Sequence, residues 1–204
     1  MAANDDQTLV RASLNGDREA FGQLVRRYQD RLYPTLLRLT GSPEDALDLL
    51  QEAFIRAFQN LNRYRGQSSF FTWIYRIAVN LAISERRHRK SSLQRVVRPF
   101  DGELEDLAGG DDQNPSLRLE QREEEERVQK ALMQLPDEAR VIVVLRDLDG
   151  LSYEEIAESL RIPIGTVRSR LHRARSELKQ VLQIADEAGT RPERKPQPSN
   201  LTTD

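Results

Sequence analysis

Residues 151–175 read Leu151-Ser-Tyr-Glu-Glu-Ile-Ala-Glu-Ser-Leu-Arg-Ile-Pro-Ile-Gly-Thr-Val-Arg-Ser-Arg-Leu-His-Arg-Ala-Arg175, and the periods inside that stretch decide the fold. Ser152 and Glu155 have capping-box spacing: the serine oxygen accepts from an amide of the first turn while the glutamate reaches back to the Ser152 amide. The helix they open is short, and Ala157 is small enough to let another helix approach closely. A turn is expected at Arg161 to Pro163. Beyond it Val167, Leu171, Ala174 and Leu178 recur at steps of four, three and four, the period of one buried helix face. A short helix, a turn and a longer amphipathic helix make a helix-turn-helix.

The opposite face of the second helix presents Gly165, Arg168, Ser169, His172 and Arg173. From Arg161 to Lys179 six basic residues meet a single acid, Glu177, a net of +5. The acids of the motif, Glu154, Glu155 and Glu158, belong to the first helix. A merely solvated helix mixes both signs on its outer face, so this segregation favours an anionic partner. A helix fits the DNA major groove, where arginine can bridge the guanine acceptors. Arg170 and Arg175 suit phosphates.

Working outward, Pro136 breaks one helix and starts another, Asp137 to about Leu148, with Val141, Ile142, Val144 and Leu145 inward. The helix before it begins near Ser116 and carries Val128, Ala131, Leu132 and Leu135. Residues Asp101 to Glu126 hold eleven acidic and two basic side chains, a net of −9 that leaves +7 for the rest of a chain whose total is −2. Residues 91–115 therefore read as a flexible acidic linker. Residues 186–204, with Pro192, Pro196 and Pro198, read as a disordered tail.

The first ninety residues read as consecutive helices. Asp17 can cap one that carries Phe21, Leu24, Val25, Tyr28 and Leu32, with Gly16 before it and Gly41 after it. Ser42-Pro43-Glu44-Asp45 is a strong helix start, and Ala46, Leu49, Leu50, Ala53, Phe54 and Ala57 then form one stripe, with Asp45, Asp48, Glu52 and Arg56 on the other side. A polar loop, Asn62 to Ser69, precedes a helix with Phe70, Trp73, Ile74, Ile77, Ala78 and Leu81, ending in the basic run Arg86 to Lys90. On periodicity Phe70, Trp73 and Ile77 are core. Tyr64, Phe71, Arg76 and Asn80 fall off that stripe, and aromatics beside cations are what a single strand of nucleic acid needs. No stretch alternates with period two, so the fold class is all-α: two small helical domains joined by a linker, spanning 1–90 and 116–185.

Composition narrows the chemistry. The 204 residues include no cysteine, which excludes disulfide scaffolds, thiolate zinc sites and cysteine nucleophiles. His88 and His172 are the only histidines, too few for a histidine-rich metal site. No apolar run approaches the roughly 20 residues that cross a bilayer, and the polar start Met1 to Gln7 is unlike a signal peptide. A cytoplasmic protein with no cofactor, no metal and no membrane insertion of its own is expected.

Asp45-Ala-Leu-Asp-Leu-Leu-Gln-Glu-Ala-Phe-Ile-Arg56, Phe70-Phe-Thr-Trp-Ile-Tyr-Arg-Ile-Ala-Val-Asn80 and the helix-turn-helix, in that order, resemble the bacterial RNA polymerase sigma factors of the extracytoplasmic-function group, closest to the envelope-stress, sigma-E-like type. The resemblance implies a region 2 domain that docks on core RNA polymerase, its β′ and β subunits, through Asp45, Asp48, Gln51, Glu52 and Arg56. It implies capture of the melted −10 strand by Tyr64, Arg65, Gln67, Ser68, Ser69, Phe71, Arg76 and Asn80. It implies a region 4 domain that reads the −35 element with Gly165, Thr166, Arg168, Ser169, Arg170, His172, Arg173 and Arg175. Promoter DNA and an anti-sigma factor are the further partners it implies. Leu47, Phe71 and His172 depart from the family pattern.

Two other classes compete. A free-standing helix-turn-helix regulator explains the second domain but leaves the aromatic loop and helix idle. A helical nuclease needs a metal or a nucleophile–base pair; Asp45 and Asp48 have no accompanying histidine, and no glycine-rich phosphate loop is visible. The expected protein is not an enzyme.

Overall fold

The computed structural model of the chain describes residues 2–91 and 115–189, with side chains placed at 6–86 and 121–184. Those residues form eight α-helices: α1 (Ala2–Leu14), α2 (Arg18–Thr40), α3 (Pro43–Gln59), α4 (Phe70–Ser91), α5 (Pro115–Gln134), α6 (Asp137–Val143), α7 (Tyr153–Leu160) and α8 (Ile164–Gly189). No strand occurs among the described residues. The linker expected over 91–115 lies outside them but for its two end residues. Residues 186–189 of the expected tail belong to α8, which continues through Gly189; residues 190–204 lie outside the description.

Local chemistry sets the helix ends. Asp17 Oδ1 accepts from the Glu19 and Ala20 amides at 2.9 and 3.1 Å and opens α2. Gly41 closes it in the left-handed region, φ 75°, its amide donating to Leu37 O. Ser42 Oγ accepts from the Asp45 amide at 3.2 Å, with Pro43 in the first turn of α3. The capping box of Ser152 and Glu155 forms in both directions, at 3.1 and 2.9 Å.

Helices α1 to α4 close over Leu24, Leu32, Leu36, Ala53, Phe70 and Ile74, all fully buried. Helices α5 to α8 do the same over Leu132, Ile142, Leu145, Ile156, Val167 and Leu171. Each such side chain contributes about 1.5–3 kcal/mol of apolar burial. The two cores run into one continuous apolar cluster, so the domains are in direct contact rather than connected by a linker alone.

Several elements differ from the sequence reading. Helix α1 was not expected; Asp6 pins it to α2 by accepting from Tyr28 and, at 2.6 Å, from Arg27. Burial and that bond to Asp6 push the Tyr28 hydroxyl up to about 12. Leu61–Arg63 form a 3₁₀ turn that takes in Asn62 and Arg63, the first two residues of the expected polar loop. The helix expected to run from Asp137 to about Leu148 changes hydrogen bonding at Val143: Val144–Leu148 form a single π turn, in which the Asp149 amide reaches back to Val144 O. Trp73, Ile77 and Leu178, expected in the core, are only half-buried. Tyr75, which the apolar stripe of α4 did not include, is 3% exposed.

Candidate nucleic-acid interface

Three faces carry the residues singled out by the sequence. The first is the outer side of α8. Val167, Leu171 and Ala174 anchor its inner side, which leaves Gly165, Arg168, Ser169, His172 and Arg173 exposed together. Ser169 Oγ donates to Thr166 O at 3.1 Å, back into its own helix turn. The Arg168 guanidinium lies 5.8 Å from the centre of the Tyr153 ring, with Arg146 at 5.0 Å from the same ring. Arg170 and Arg175 are held by acids of the preceding elements. Arg170 pairs with Glu138 at 3.1 Å, and Arg175 grips Asp147 through Nε at 3.0 Å and through Nη2. Those two cations flank the exposed face in fixed positions.

The turn that aims α8 rests on Arg161, whose φ of 54° places a non-glycine residue in the left-handed region. Its amide caps α7 by reaching Glu158 O at 3.3 Å. No cue in the sequence marked Arg161 as strained, since glycine or asparagine is the usual occupant.

The second face is the loop before α4 and the start of that helix. Tyr64 Oη donates to Ser68 O at 2.8 Å and closes the loop on itself. Ser69 Oγ accepts from the Thr72 amide at 3.1 Å, so this expected strand contact also caps α4. Arg65, Gln67, Ser69 and Asn80 are exposed, and Phe71 is half-buried. Asn80 Nδ2 donates to Arg76 O at 2.8 Å. Trp73, Tyr64, Phe70, Tyr28, Phe71 and Tyr75 follow one another with ring centres 5.4–5.8 Å apart. Arg31 of α2 lies 3.9 Å over the Phe71 ring. Sequence reading missed Tyr28 and Arg31 because they join this group only through tertiary packing. Arg76 does not point with Asn80 into solvent; both its terminal nitrogens bond Glu158 of α7 at 2.6 Å.

The third face lies between α2 and α3. Leu47, Ile55 and Phe58 stand exposed along a groove floored by Phe21, Val25 and Phe54. Phe58 packs edge-on to Phe21 at 4.9 Å. Asp48 and Gln51 line this groove; Asp45, Glu52 and Arg56 do not, and Arg56 pairs with Glu52 at 2.6 Å. The apolar residues were legible as a second stripe outside the Ala46–Ala57 one, yet the sequence reading took that side as acidic. Among the described residues no cluster of three His, Asp or Glu side chains is placed to hold a metal ion. No helix among them is long and apolar enough to cross a membrane.

Known proteins resemble this chain over most of its length. The chain matches the family model for sigma-70 region 2 over residues 24–92 and that for sigma-70, region 4 over residues 125–178. It is 40% identical over 178 residues to the ECF RNA polymerase sigma-E factor of Escherichia coli K12, covering 83% of this chain and 90% of that one. It is 36% identical over 192 residues to the RNA polymerase sigma-H factor of Pseudomonas aeruginosa, covering 90% of this chain and 96% of that protein. The solved structure of CnrH in complex with the cytosolic domain of CnrY matches with a TM-score of 0.61 at 25% identity, over 88% of this chain and 98% of that one.

Proposed function

We propose how the work is divided within this chain, which belongs to the sigma-70 family of RNA polymerase sigma factors, in its extracytoplasmic-function group. A sigma factor directs promoter-specific initiation, and its two domains are those of regions 2 and 4. The finer assignment is ours: residues 1–90 dock on core polymerase and hold the melted −10 strand, and residues 116–185 read the −35 duplex. The chain supplies binding free energy and leaves the chemistry to the polymerase, acting in the cytoplasm without a cofactor.

The observation that carries this reading is the two-sided build of α8. Val167, Leu171 and Ala174 are locked in the core while Arg168, Ser169, His172 and Arg173 stand exposed in one row. Arg170 and Arg175, braced by Glu138 and Asp147, sit where phosphates would flank a groove-bound helix. On the first domain, the loop closed by Tyr64 and Ser68 beside Phe71 and Trp73 suits an extruded base, whose unstacking costs a few kcal/mol. The α2–α3 groove suits polymerase: Leu47, Ile55 and Phe58 offer apolar contact beside Asp48 and Gln51. An anti-sigma partner fits the same protein, and the CnrH complex with a cytosolic protein domain supports that expectation.

The test is a titration of the purified chain against core RNA polymerase, with and without a competing primary sigma factor. Tight binding that the competitor displaces is expected. Retained duplex affinity without polymerase binding would demote the protein to a free-standing regulator.

A further inference from the structure

Arg76 meets Glu158 in a parallel fork, Nη1 to Oε1 and Nη2 to Oε2, both 2.6 Å. A single surface pair of this kind says little, but it does not stand alone. Asp149, whose carboxylate is only 10% exposed, accepts from Thr35 Oγ1 at 2.8 Å and from Tyr75 Oη at 2.5 Å, with Arg38 at 3.4 Å. At the carboxyl end of α2, Gln129 Nε2 donates to Leu37 O at 3.1 Å and Arg140 Nη1 to Leu39 O at 3.1 Å. Both are carbonyls of that helix's last turn; Leu37 O also accepts from the Gly41 amide and Leu39 O from Arg86, so the second domain adds a further donor to each. Three separate contacts thus seat the second domain on α2 and α4.

Of the residues assigned to the −10 strand, the contact takes Arg76 of α4, while Arg65, Gln67, Ser69 and Asn80 stay exposed. To a guanidinium, a carboxylate fork and a phosphate offer the same thing, two anionic oxygens at matching spacing. We infer that in the free chain the second domain competes with the −10 strand, Glu158 occupying the anion position that Arg76 offers to the strand. This inference rests on the assignment of α4 to the −10 strand. The exposed row on α8 is untouched by the contact, so closure opposes strand capture and leaves duplex reading intact. By linkage, whatever parts the domains raises strand affinity, and the strand in turn parts the domains.

The chain has no cysteine, so Gln23→Cys and Gln180→Cys give a clean dye pair across the two domains. Energy transfer is read in the full chain beside the affinity for a single-stranded DNA 12-mer of randomised sequence and for a random duplex. Two variants open the contact with opposite changes of charge: Glu158→Gln removes the fork and one negative charge, and Gln129→Glu sets a new carboxylate against Leu37 O. Gln129→Glu by its added charge alone would weaken DNA binding, so a gain in strand affinity comes from opening. The expected result is high transfer in the parent, lower transfer in both variants, and strand affinity raised about five-fold relative to duplex affinity, which reports the charge change alone. Low transfer in the parent, unaltered by either variant, overturns the inference. Lower transfer with no gain in strand affinity also overturns it, provided Arg76→Ala in the opened chain still weakens strand binding. If Arg76→Ala leaves strand binding unaltered there, the −10 assignment itself falls, and the inference with it.

Discussion

The Tyr75 hydroxyl donates to Asp149 at 2.5 Å, tying the middle of α4 to the end of the π turn 74 residues later. Neither residue is exposed enough for water to take the other's place: Tyr75 is 3% exposed and the Asp149 side chain 10%. Burial holds the Asp149 carboxyl above its ordinary 3.8; the bonds from Tyr75 and Thr35 and the charge of Arg38 offset this only in part. Burial, together with the same carboxylate, pushes the Tyr75 hydroxyl upward as well.

The raised carboxyl makes domain contact pH-dependent in a definite direction. Closure favours the protonated acid, so its contribution is fully present below the ordinary value and is lost as pH rises through the raised one. Energy transfer between the domains should therefore fall with rising pH more steeply in the parent chain than in Asp149→Asn, which stays neutral throughout. The difference between the two chains isolates this one carboxyl from every other titrating group. Equal slopes would remove Asp149 from the pH response.

Arg140 is the chain's most consequential buried charge. At 2% exposure it donates to Leu132 O, Met133 O, Leu135 O and, across the domain contact, Leu39 O, at 2.7–3.1 Å. Arg140→Ala removes a donor from each of those carbonyls, although Leu132 O keeps the Leu135 amide and Leu39 O keeps Arg86, and should cost about 3–5 kcal/mol of stability. Arg140→Lys should recover little of it, because one ammonium cannot span the set. Urea midpoints of the three chains check this; a loss below 1 kcal/mol for alanine would contradict it.

The groove beside α3 separates docking from folding. Leu47 and Ile55 are 55% and 45% exposed, so Leu47→Ser with Ile55→Ser should change stability by less than about 1 kcal/mol. Affinity for core polymerase should fall more than about ten-fold, as for apolar anchors at an interface centre. Unaltered polymerase affinity would move the docking face back to Asp45, Glu52 and Arg56.

On α8, Arg168→Ala should weaken −35 duplex binding by about 1–3 kcal/mol and relax specificity at one base position. Gly165 offers a cleaner probe, because a Cβ built there meets nothing within 4 Å of this chain. Gly165→Ala should fold at least as stably as the parent, so any loss of −35 affinity reports close approach of the DNA backbone. Unchanged affinity in both variants, measured on a bound promoter fragment, would shift the reading face elsewhere on the helix.

Much of this was legible in the residues. The capping box at Ser152, the Asp17 and Ser42 caps and the Gly41 stop appear where the sequence placed them, because capping acts within four residues of chain. The helix-turn-helix was legible for the same reason, since its Val167–Leu171–Ala174 stripe is a local period. Arg140 was not, because its four acceptors gather only when two helices and a neighbouring domain pack together. The α3 face was misjudged: charge at Asp45, Asp48 and Glu52 was conspicuous, while Leu47, Ile55 and Phe58 became a groove only against Phe21 and Val25 of α2.

The sequence by itself determined the family, the order of the helices from α2 onward and which side of α8 turns outward, since each follows from short-range periodicity or from residue identity along the chain. Only the tertiary structure decided what Arg76, Asp149 and Glu158 do. Their partners lie 74 to 114 residues away, and no local period reports a contact between α4 and α7. A guanidinium expected to meet DNA meets a carboxylate of its own chain instead, because packing two small cores into one cluster brings Glu158 of α7 against Arg76 of α4.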